Sequence, residues 1–225
     1  MKTTLVWDWP IRLSHWLIVL LFTGLILSGK SDGQYIEYHF YLGYSLSAVV
    51  IARILYGFYG SYHARFHTFI KSARVTIDYL KSLLTGHPQA HLGHNPLGGL
   101  MVLVLLGALT AQWATGLFTS DDIFWFGPFN DQVSADLASE LASLHRQLPD
   151  ILLGLVAIHV LAVLYHEIRL KERLIAAMVH GRKPLSRSQG SRLFSQEPIQ
   201  TPRWGVIFSL FIGLAWLVAL WLMPI

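Results

Sequence analysis

The chain has 225 residues, of which 53% are hydrophobic and only 13% charged. A typical soluble domain carries about 25% charged residues, so a water-soluble globule is not expected. There is no cysteine, which excludes disulfides, thiolate nucleophiles, cysteine-held zinc, iron–sulfur clusters and thioether-attached haem, and leaves redox or metal chemistry to eleven histidines and the carboxylates.

Five stretches are long and apolar enough to cross a bilayer, which takes roughly 20 helical residues: 11–29, 38–58, 97–118, 146–166 and 204–223. The first follows Lys2 and Arg12 as a secretory signal would, but Ser28, Gly29 and Lys30 close it without a small-residue cleavage pattern, so it is expected to stay. Trp7, Trp9, Tyr59, Trp113, Trp125 and Trp204 stand at run ends, where interfacial anchors belong. Between the fourth and fifth runs, residues 181–203 are polar and rich in Ser, Pro and Arg, and read as a flexible basic linker. The expected fold is an all-α membrane protein: a four-helix unit over 1–180, the linker, and an appended fifth helix over 204–225.

Charge orients the bundle. Segments 1–12, 53–81 and 166–203 hold fifteen of the seventeen Lys and Arg, while the intervening loops and the start of the fourth run hold eight of the thirteen acids. By the positive-inside rule the amino terminus is cytoplasmic, the loops after spans one and three are outside, and the carboxyl terminus is periplasmic. The net charge of +4 is therefore topological, and no nucleic-acid partner is expected. The acidic segment 119–140 reads either as a loop that steers a basic partner or as a merely soluble one.

Ionisable side chains within spans are rare and face a bundle interior or a functional path. His15 lies near the inner end of span one, and His39 near the outer start of span two. His145 and His159 lie fourteen residues apart in span four. That interval is nearly four turns, so both project from one face about 21 Å apart. Depth pairs His15 with His159 and His39 with His145. Each pair can supply both axial imidazoles of a haem iron and leave no open position; for any one histidine alone, hydrogen-bonded packing is the rival reading. Gly43, Gly154 and Ala162 keep side chains small beside the ligands, and Arg12 and Arg53 are placed to meet haem propionates.

His94 precedes Asn95 and Pro96, an N-cap and first-turn proline for span three, and is a candidate quinone or propionate contact. His166 reads as interfacial, with a quinone or propionate contact as the alternative. His63 and His67, in a basic segment, read as solvated. His87, His91 and His94 have spacing for zinc but lack carboxylate or cysteine company.

Several segments together resemble the bacterial cytochrome b561 and nickel–iron hydrogenase b-type cytochrome family, over roughly residues 5–183. They are Trp7-Asp8-Trp9-Pro10-Ile11-Arg12-Leu13-Ser14-His15-Trp16, His39-Phe40-Tyr41-Leu42-Gly43-Tyr44, Gly93-His94-Asn95-Pro96-Leu97-Gly98, Leu144-His145 and Ala157-Ile158-His159-Val160. The resemblance implies two non-covalent haems b on His15, His39, His145 and His159, in a bacterial cytoplasmic-membrane protein. It implies electron exchange between the quinone pool and a hydrogenase, a dehydrogenase or a periplasmic c-type cytochrome. Because some relatives oxidise superoxide with quinone, a free-standing superoxide:quinone oxidoreductase is the second reading. A non-haem transporter or anchor with a histidine proton relay is the third. The fifth helix departs from four-span members and suits partner docking, a homodimer or simple anchoring.

Overall fold

The computed structural model describes residues 3–86, 88–120, 125–184 and 200–223. His87, Asp121, Asp122 and residues 185–199 of the expected linker lie outside the described residues. In chain order the structure has β1 (Thr3–Leu5), α1 (Trp9–Gly29), α2 (Ile36–Tyr59), α3 (Phe66–Phe69), α4 (Ala73–Leu84), α5 (Pro96–Gly116), α6 (Ala135–Ile168), α7 (Leu174–His180), β2 (Arg182–Pro184) and α8 (Arg203–Trp221). Five of these helices, α1, α2, α5, α6 and α8, are long and apolar enough to cross a membrane. The chain is an all-α, multi-pass membrane protein.

Local chemistry sets the helix starts. Asn95 Oδ1 accepts the Gly98 N–H at 2.7 Å and caps α5, with Pro96 in the first turn where its missing N–H costs nothing. The largest departure from the hydropathy reading is α6, which begins at Ala135 and not near 146. Ser134 Oγ accepts the Leu137 N–H at 3.3 Å, and Asp136 in the first turn complements the helix dipole. Asp136 and Glu140 are therefore helical, although the acidic segment 119–140 was expected to be loop throughout.

The chain packs as two compact units. The first takes residues 1–13, 55–104 and 158–206. Its core is Val6, Trp7, Ile11, Tyr56, Ala64, Ala177 and Val206. Here β1 pairs antiparallel with β2, Thr4 opposite Lys183, so residues at the head of the expected linker form a strand. Gly181 makes the junction: it ends α7 at φ 84°, and its carbonyl accepts the N–H groups of Val6 at 2.8 Å and Trp7 at 3.1 Å. Only glycine adopts that backbone cheaply, and a Cβ there would stand 2.5 Å from the Trp7 carbonyl oxygen.

The second unit takes residues 14–54, 105–157 and 207–225. Phe40, Tyr44, Leu117 and Leu220 form its buried cluster, with Trp113 and Trp216 packed against it. In this unit α8 lies close on α2. A Cβ at Gly213 would stand 2.8 Å from the Ala48 carbonyl oxygen, and Trp216 Nε1 donates to Ser47 Oγ at 2.8 Å.

Candidate functional site

His39 and His145 come together within the second unit. Their ring centroids are 6.2 Å apart with the planes at 87°. Two imidazole–metal bonds of about 2 Å each use about 4 Å of that separation, and the remainder is twice the reach from a ring's centre to its own nitrogen. Two ring nitrogens set in line about one metal ion would give this centroid spacing.

Each ring has its Nδ1 engaged. Ser28 Oγ donates to the Leu25 carbonyl at 3.2 Å, so its lone pairs face the Nδ1–H of His39 at 3.0 Å. The His145 Nδ1–H donates to the Gln112 carbonyl at 2.9 Å, with Thr115 Oγ1 at 3.4 Å. A proton held on Nδ1 leaves Nε2 as the bare nitrogen, the tautomer that a metal needs. The Gln112 amide nitrogen lies 3.2 Å from Nδ1 and 3.3 Å from Nε2 of His145. Nearly equal distances put it off both lone-pair axes. Its own hydrogen bond is to the His145 carbonyl, at 3.1 Å.

Space at the rings is made by glycine. A Cβ at Gly116 would come within 2.7 Å of His145 Cε1, and one at Gly29 within 3.2 Å of His39 Cε1. In the same unit's apolar cluster, Tyr44 Oη and Trp113 Nε1 are buried with no partner among the described residues. Such donors suit a carboxylate or a quinone carbonyl. Two imidazoles with both Nδ1 positions engaged and room cleared at the rings by Gly116 and Gly29 fit a haem b held by two histidines.

The remaining expected residues are placed as follows. His15 is half-buried on α1 in the second unit, with its ring edge-on to Trp16 at 5.0 Å. His159 is half-buried on α6 in the first unit. Arg53 is buried on α2. Arg12 donates from one terminal nitrogen to the Val179 carbonyl at 2.6 Å, which ties α1 to α7. His94 is flanked by aromatic rings, Trp7 at 4.6 Å and Phe69 at 4.5 Å between centroids.

His166, in the last turn of α6, is buried: its Nδ1 faces Glu172 Oε2 at 3.3 Å, and Asn95 Nδ2 lies 3.5 Å from its Nε2. His63 is half-buried, not solvated, with Trp7 edge-on at 6.2 Å. Burial, and then the charge of Lys183, push its pKa down to about 4. Among the described residues no three potential metal ligands cluster, and His91 turns its Nδ1 to the Gln89 carbonyl at 2.8 Å.

Ser28, Gln112 and Thr115 are site residues that the sequence reading did not single out. Gln112 carried a usable signal: it is a polar amide in the midst of an apolar span, and such groups pair within the bundle.

The profile described as prokaryotic cytochrome b561 matches residues 6–181. Three similar proteins are each named as a probable Ni/Fe-hydrogenase B-type cytochrome subunit. The one from Azotobacter vinelandii is 27% identical, over 78% of this chain and 86% of its own. That from Bradyrhizobium diazoefficiens is 23% identical, over 80% and 86%. The protein from Rhizobium leguminosarum bv. viciae is 22% identical, over 81% and 89%.

Proposed function

The chain belongs to the prokaryotic cytochrome b561 family, a family of membrane b-type cytochromes in electron transfer, and we propose that it is a dihaem wire between the quinone pool and a redox partner. His39 with His145, and His15 with His159, hold the two haems b. The spacing of the His39 and His145 rings, with both Nδ1 atoms engaged, is the observation that carries this reading. The second pair is supported by the fourteen-residue interval between His145 and His159 on one helix.

When bound, each haem supplies one-electron exchange at its iron. The protein's part would be to hold each haem iron through its histidine pair, with the orientation of the His39 and His145 rings fixed by Ser28 and the Gln112 carbonyl. Arg12, Arg53 and His94 are the groups assigned to propionate or quinone oxygens. The positive-inside distribution supports an amino terminus in the cytoplasm of a bacterial inner-membrane protein. The names of three relatives favour a hydrogenase as partner; a dehydrogenase subunit or a periplasmic c-type cytochrome would fill the same role. The test is a redox-titrated visible spectrum of the purified chain in lipid nanodiscs, with a quinol analogue as reductant. Two b-type transitions, both reached by quinol, are expected. A spectrum unchanged by dithionite overturns the reading.

A further inference from the structure

The stretch between the end of α2 at Tyr59 and the start of α5 at Pro96 holds α3 and α4, of four and twelve residues. A crossing needs roughly 20 helical residues. The end of α2 and the start of α5 therefore lie at the same membrane surface, and α4 stays on that side of the membrane. One side of α4 is fixed to the protein: Tyr79 is buried, with its ring against His91 at 5.3 Å between centroids.

Another side is open and apolar. Ile77, Leu80 and Leu84 follow the i, i+3, i+7 spacing of a single helical stripe, and are 51%, 41% and 79% exposed. Arg74 and Lys81, seven residues apart, run together along one edge of that stripe, roughly 80° round the helix from its centre. Among the described residues neither is in an ion pair. Asp78 lies farther round, beyond the cations. From the stripe through Arg74 and Lys81 to Asp78 the order is apolar, cationic, then acidic, which matches the gradient from acyl chains through phosphates to water; Val75, 46% exposed, follows Asp78 on the side toward the buried Tyr79.

We infer that α4 is a surface-lying helix that binds anionic phospholipid, with Ile77, Leu80 and Leu84 in the acyl boundary and Arg74 and Lys81 on headgroup phosphates. The chain has no cysteine, so Ile77→Cys, Leu84→Cys and Asp78→Cys can each be spin-labelled alone in the full-length protein. The measurement is accessibility to oxygen against a water-soluble nickel chelate, in nanodiscs with and without phosphatidylglycerol. The ratio is expected to be several-fold higher at 77 and 84 than at 78. It should rise with phosphatidylglycerol, and that rise should vanish in an Arg74→Gln/Lys81→Gln background. Equal ratios at all three positions overturn the inference, and so does a ratio indifferent to phosphatidylglycerol. Labels at 77 and 84 shielded from both reagents overturn it as well, since that is the signature of a protein partner or a second copy on the stripe.

Discussion

Gln112 and His145 each bind the other's backbone carbonyl: His145 Nδ1 donates to Gln112 at 2.9 Å, and Gln112 Nε2 donates to His145 at 3.1 Å. The second acceptor is free because Pro149, four residues on in α6, has no N–H to give it. In a bilayer no water replaces that lost helical bond. Gln112 thus fills the gap that Pro149 opens, and does so at the ring proposed as a haem ligand.

Gln112→Leu is expected to lower stability by about 1–3 kcal/mol, the cost of leaving a buried acceptor unpaired. Pro149→Ala restores the helical N–H, so the same Gln112 substitution should cost less in that background. Denaturant unfolding in detergent across the four variants gives the coupling; strictly additive costs would show that the two residues act separately.

Gly116→Ala adds a Cβ 2.7 Å from His145 Cε1, so the ring must shift. Elsewhere in a helix this substitution favours stability by up to about 1 kcal/mol. Here, haem content or the midpoint potential of one haem should change, while Gly107→Ala, with nothing within 4 Å, should leave both alone. Haem quantification with redox titration decides. An unchanged Gly116→Ala protein would remove His145 from the haem.

Gly181→Ala meets two penalties, the left-handed backbone at φ 84° and the Trp7 carbonyl at 2.5 Å. Gly86→Ala, at φ 79° with open space around it, meets only the first, about 1–2 kcal/mol. Thermal unfolding should rank Gly181→Ala clearly below Gly86→Ala. Equal midpoints would mean that the junction of β1, α7 and β2 yields freely.

His63 makes stability pH-dependent. Its folded pKa of about 4 lies below the ordinary 6.5, chiefly through burial and then through Lys183. Between those values the unfolded chain binds the extra proton, so stability is full above pH 6.5 and falls as pH drops toward 4. The slope from this one group is at most about 1.4 kcal/mol per pH unit. His63→Gln should flatten the fall in unfolding midpoint across that window; an unaltered slope would place the titration elsewhere.

The five spans were legible because long apolar runs have no other place in a membrane protein. Helical depth set His39 and His145 at one level, and their ring centroids lie 6.2 Å apart. The true start of α6 was not, since residues 135–145 mix polar and apolar side chains and hydropathy registers only the part embedded in lipid. The β1–β2 pair was hidden by its size, three residues a side. His63 looked solvated beside Arg65 and His67, because its covering group, Trp7, is distant in sequence. His166 finds Glu172 only because the chain turns back after α6, with Lys171 at φ 57°. Gln112 could be flagged as a polar residue in a span, but its bond to the carbonyl that Pro149 frees needs the packing of α5 on α6.

The central claim is that His39 and His145 share one iron. Haem per chain, quantified in the wild-type protein and in His39→Ala purified side by side, tests it most directly. Two haems are expected in the former and one in the latter. A His39→Ala protein that keeps its full complement would contradict it.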